Sequence, residues 1–122
     1  MTFTEEKIKA IYNMKNDLNK NEFLDQYIFF GLTNLNDGFD VKSIKYFSEA
    51  DFSIILKRVE DNKIGITGIE PWLNGLFYNV LTYEDYSTEP TDPKWYKKAF
   101  EKFKKDEQQL QYAASYFIPT KN

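Results

Sequence analysis

The chain has 122 residues, 42% of them hydrophobic and 18% aromatic, and its 19 acidic and 16 basic side chains give a formal charge of −3. That is the size of one compact domain with a continuous core, and eleven Phe, nine Tyr and two Trp exclude a disordered chain, which lacks large apolar groups. With neither Cys nor His, the chain has no disulfide framework, no thiolate chemistry, and none of the residue most used for acid–base work and transition-metal ligation.

The opening segment, MTFTEEKIKA, has two Glu before its first aliphatic pair and no apolar core, unlike a secretory signal. The longest apolar run, Tyr27 to Leu32, falls short of the roughly 20 residues that span a bilayer. A cytoplasmic protein without a membrane partner is expected. Thr2 and Glu5 fit a capping box ahead of Ile8, Ile11, Tyr12 and Leu18, which predicts a helix over 4–19. Asn21 reads as the cap of a second helix carrying Phe23, Leu24, Tyr27 and Ile28, with Gly31 placed to end it. Thr33 to Asp40 is rich in turn residues. It divides a helical extension, 1–40, from an α+β core, 41–122, within a single domain.

Lys42 to Phe47 alternates as a short strand, and Ser48 with Asp51 then signals a helix from Glu49. Phe52, Ile55, Leu56 and Val59 form its apolar stripe. Ile64 to Ile69 alternates with a period of two and reads as a strand ended by Pro71. Trp72 to Gly75 is a connector, and Leu76 to Tyr83 returns as the second strand of a hairpin. Pro90 and Pro93 bracket an acidic loop; Asp92 is placed to cap a helix with Pro93 in its first position and Tyr96, Ala99, Phe100 and Phe103 on its stripe. Gln111 to Ile118 reads as a last strand. The order strand, helix, strand, strand, helix, strand predicts a ferredoxin-like βαββαβ core, a four-stranded antiparallel sheet with two covering helices, preceded by the two-helix extension.

The charge is polarised along the chain. Between Ile64 and Pro93 there is no Lys or Arg, while Glu70, Glu84, Asp85, Glu89 and Asp92 contribute −5; residues 94–105 then set six Lys against Glu101. One-signed patches steer and orient oppositely charged partners.

No catalytic constellation emerges. The carboxylate pairs Glu5/Glu6, Glu60/Asp61, Glu84/Asp85 and Asp106/Glu107 are adjacent in sequence and so point in different directions on a helix or strand. GITG at 65–68 lacks the Lys and helix start of a phosphate loop. No catalytic residue, metal ligand or cofactor is assigned, and the chain is not read as an enzyme. The lysines of 94–105 could meet phosphates, but Tyr96 and Phe100 belong to a buried stripe and the pI is near 5.0, so no nucleic-acid partner is expected. Trp72 is either an exposed anchor at a hairpin tip or folded back on the core, and Trp95 is a packing residue.

The segments YFSEADFSIILKRVE at 46–60, GITGIEPW at 65–72, DPKWYKKAF at 92–100 and LQYAASY at 110–116 resemble a group of small bacterial immunity proteins of contact-dependent inhibition and other polymorphic toxin systems. The resemblance spans about residues 44–118. It implies a cytoplasmic protein that binds the C-terminal domain of a cognate toxin, a basic domain such as a nuclease, and covers its active site or substrate surface. On that reading Glu70, Glu84, Asp85, Glu89 and Asp92 supply charge, with Trp72, Tyr83 and Tyr86 as anchors. The alternative is a ferredoxin-like module that binds a small ligand or serves regulation.

Overall fold

A helix opens at Asn19 rather than Asn21 because only Asn19 has Glu three residues on, and the computed structural model, which describes residues 19–119, joins the two. Asn19 is extended and accepts from the Glu22 amide (2.8 Å), while its side-chain amide donates back to the Glu22 carboxylate. At the same offset from Asn21 stands Leu24, which has no side-chain acceptor to return the bond. Helix α1, Lys20–Phe23, then widens into a π-helical turn over Leu24–Ile28, closed by Phe29 donating to the Leu24 carbonyl (2.8 Å). The expected helix over 4–19 lies outside the described residues, apart from Asn19. Those residues divide into two compact units, one up to Phe30 and one from Gly31.

In the second unit, residues 33–47 are irregular but closely bonded. Asn36 donates to the carbonyls of Val41 (3.0 Å) and Ile44 (2.8 Å), and Asn34 accepts from the amides of Asn36 and Tyr46 (both 3.0 Å). The strand expected over Lys42–Phe47 therefore does not form: these two Asn side chains take the backbone groups that a ladder would use. Only Phe47 reaches the sheet, exchanging two hydrogen bonds (2.9 and 2.8 Å) with Tyr112.

Helix α2, Glu49–Asp61, begins where the capping signal put it, with Ser48 accepting from the Asp51 amide (3.2 Å). Its stripe of Phe52, Ile55, Leu56 and Val59 is buried. Strand β1, Gly65–Leu73, turns at Asn74-Gly75, both at positive φ (53° and 75°), into β2, Leu76–Phe77. Strand β3, Leu81–Thr82, follows, then a 3₁₀ turn over Tyr83–Tyr86. Helix α3, Pro93–Asp106, is capped by Asp92, and β4, Gln111–Phe117, completes the fold.

Pro71 does not end β1. It faces Tyr112, whose own amide and carbonyl point away to Phe47, and on its other side it sits at the break between β2 and β3. No ladder N–H is called for there, so proline fits inside the strand. The same break splits the expected Leu76–Tyr83 strand in two, because the Pro71 carbonyl draws the amides of both Tyr78 (3.1 Å) and Asn79 (3.3 Å).

The result is an α+β unit with a four-stranded antiparallel sheet. β1 is central: Gly68 pairs with Ser115 of β4 on one edge and with Thr82 of β3 on the other, and β2 continues the β3 edge at Trp72 and Leu73. A ferredoxin-like order would place the first strand of the core between the last strand and the hairpin. Here that strand is missing and β1 pairs directly with β4 from Gly65 to Trp72, so the expected order is corrected. Both α2 and α3 cover one face, where Phe52 stacks on Tyr112 (centroids 5.0 Å apart) and Phe100 meets it edge-on (5.1 Å). Ile55, Ile66, Ile69, Tyr96 and Phe103 complete the core beneath them.

Candidate protein-binding surface

Alternation along the strands decides what the opposite face of the sheet carries. Since Tyr112 points toward the helices, Ala113 and Ser115 point away, as do their partners Glu70 and Gly68. Apart from Glu70, the floor of this face is thus made of side chains that barely rise from the backbone, and a trough of about 430 Å³ runs across it. Ile44, from the Asn36-bonded loop, lines it, as do Val80, Tyr83 and Glu84 from the segment around β3. Ile44 and Val80 are 36% and 42% exposed, so apolar side chains stand open to solvent beside Glu70 and Glu84. Among the described residues, those lining it include two carboxylates and no Lys or Arg.

Trp72 extends this face toward the hairpin. Its indole N–H donates to Glu70 (2.9 Å), and its ring packs among Phe39 (5.7 Å), Tyr46 (5.4 Å) and Phe77 (6.4 Å). Trp72 is therefore a half-buried packing residue that also orients a carboxylate, whereas Phe77, 56% exposed, is the free aromatic edge. Tyr46 is buried and donates to Asp40; burial, then that bond, push its hydroxyl well above the usual tyrosine range.

Of the eight residues singled out from sequence, the trough gathers Glu70, Tyr83 and Glu84, with Trp72 attached through Glu70. Asp85, Tyr86 and Asp92 serve local structure. The Asp85 carboxylate accepts from the Thr82 amide (2.8 Å) in a capping box. Tyr86 packs its ring against Trp95 (5.9 Å). Asp92 accepts from the Thr88 hydroxyl (2.7 Å) and the Lys94 amide (3.0 Å) at the start of α3, and these bonds, the first above all, hold its carboxyl below the ordinary value. Glu89 is exposed on the loop between them. Sequence reasoning missed Ile44, Val80, Ala113 and Ser115. Period-two alternation could have paired Ala113 and Ser115 on one face, but nothing local marks Ile44 or Val80 as uncovered.

The basic segment forms the outer face of α3. Lys97 pairs with Glu60 (2.6 Å), Lys102 with Asp106 (2.8 Å) and Lys104 with Glu101 (2.7 Å), so half of its positive charge is met within the unit. Tyr96 and Phe100 are buried and cannot stack on a base. Among the described residues, no three acidic side chains lie close enough to hold a metal ion, and no helix is long and apolar enough to cross a membrane. Comparisons with protein-family models, curated proteins and solved structures find no match to the chain.

Proposed function

We propose that this chain works by binding, as an immunity protein that neutralises a cognate bacterial toxin domain, with the open sheet face as its docking surface and a basic domain such as a nuclease as its partner. The observation that carries the reading is the trough itself: Glu70 and Glu84 stand beside exposed Ile44 and Val80, with no cation among the described residues that line it. Such a surface gains twice from a basic partner, through long-range attraction that speeds encounter and through apolar contact that slows release. Occlusion follows from binding, and no group of this chain needs to change protonation or form a bond.

The test is to mix the purified chain with the protein encoded immediately upstream of its reading frame. A stable stoichiometric complex on gel filtration, lost in a Glu70→Lys/Glu84→Lys variant that melts at the same temperature, is the expected result. A complex that forms equally well with the double variant would place the docking surface elsewhere. The small-ligand alternative predicts instead a metabolite-dependent rise in melting temperature without any protein partner.

A further inference from the structure

We infer that the occupant of the trough is a single amphipathic α-helix of the partner, with small or aliphatic residues along one face and Lys or Arg flanking them. This rests on the reading of the open face as a protein-docking surface and specifies what that surface takes.

The floor of the trough crosses β4, β1 and β3, and with neighbouring strands about 4.8 Å apart its two outer strands lie about 10 Å from each other. A helix with its side chains is about 10–12 Å across. The small side chains at Gly68, Ala113 and Ser115 let a convex rod approach closely, and Ile44, Val80 and Tyr83 among the lining residues offer apolar contact to its flanks.

An extended peptide is disfavoured because the floor has no backbone to offer. Gly68 is paired on both edges, with Ser115 and with Thr82, and strand addition needs unpaired ladder groups. A small molecule is disfavoured because the walls are exposed, and ligand sites are concave enough to bury most of their ligand. The charges complete the match. Among the lining residues Glu70 is half-buried and Glu84 exposed, so basic side chains flanking the apolar stripe of a helix laid in the groove would meet carboxylates. The Glu70 carboxylate is already oriented by Trp72, which reduces the ordering cost on binding.

The test titrates the full chain with an amidated peptide of about 18 residues, about 27 Å long as a helix, carrying a Leu/Ala stripe flanked by Lys. A second peptide of the same composition is rearranged and interrupted by Pro so that it cannot form the helix. Amide chemical shifts of the chain and circular dichroism of the peptide are followed. The helical peptide should perturb Gly68, Thr82 to Glu84 and Ala113 to Ser115 and gain helicity. The Pro peptide should bind about tenfold more weakly, and Glu70→Gln/Glu84→Gln should weaken the helical peptide by a similar factor. Gln keeps an acceptor for the Trp72 indole. Equal binding of both peptides, or no perturbation of these amides by the helical one, overturns the inference. If that happens while Glu70→Lys/Glu84→Lys still abolishes the complex with the natural partner, the docking face stands and only the helix falls.

Discussion

Trp72 donates its indole N–H to the carboxylate of Glu70, two positions earlier on the same face of β1, at 2.9 Å. One side chain thereby has two tasks: its ring closes the aromatic cluster with Phe39, Tyr46 and Phe77, and its N–H holds a carboxylate in place. The tasks separate by substitution. Trp72→Phe keeps an aromatic ring but loses the donor, so it should weaken partner binding a few-fold with little change in melting temperature. Trp72→Ala should cost about 2 to 3 kcal/mol of stability, the burial of a large side chain that is still partly exposed. Denaturant unfolding and binding titrations of both variants check this. Trp72→Phe binding the partner as tightly as the parent would mean that the indole N–H has no separate role.

Gly65 opens β1 against the backbone of Pro90. A Cβ there would lie 2.7 Å from the Pro90 carbonyl carbon, and the next amide, Ile66, donates to the Pro90 oxygen (3.0 Å). The acidic loop is pinned to the strand at this point, and backbone cannot rotate aside as a side chain can. Gly65→Ala should destabilise by about 1 to 3 kcal/mol, as overpacking does, and raise amide exchange across residues 84–92. A variant as stable as the parent would show that the contact relaxes freely.

Four tyrosines, Tyr46, Tyr96, Tyr112 and Tyr116, have hydroxyls whose ionisation burial pushes upward, out of the ordinary range near 10. The unfolded chain releases these protons near pH 10 while the folded chain keeps them. The stabilisation is therefore complete below pH 10 and is lost as pH rises from there toward the folded values. Melting temperature should fall steadily above pH 10. Among the described residues the hydroxyls of Tyr96 and Tyr112 have no hydrogen-bond partner. Tyr112→Phe, which removes a buried orphan group, should leave stability at pH 7 unchanged or raised and flatten the alkaline decline. A marked loss at pH 7 would reveal a partner for that hydroxyl.

How far the fold is legible in the chain follows from the range of the interactions that make it. Ser48 and Asp92 announce α2 and α3 because caps and apolar stripes act within a few residues. Residues 42–47 alternate like a strand, and losing that strand depends on Asn34 and Asn36, whose side chains reach to Tyr46 and Ile44. Pro71 looks like a terminator until the break between β2 and β3 falls beside it. The site follows the same logic. The acidic stretch is plain in the sequence, but Asp85 and Asp92 spend their carboxylates on backbone amides. Only folding brings Glu70 and Glu84 to one trough beside Ile44, a residue from the other side of α2 in the chain.

If Glu70 and Glu84 face a basic protein partner, association kinetics report it most directly. The rate constant for the wild-type chain binding its natural partner should fall steeply as salt is raised from low to physiological strength, because screening shortens the reach of these charges to about 8 Å. In Glu70→Gln/Glu84→Gln, with an unchanged melting temperature, association should be slower at low salt and much less dependent on it. Superimposable salt profiles for the two proteins would contradict the account.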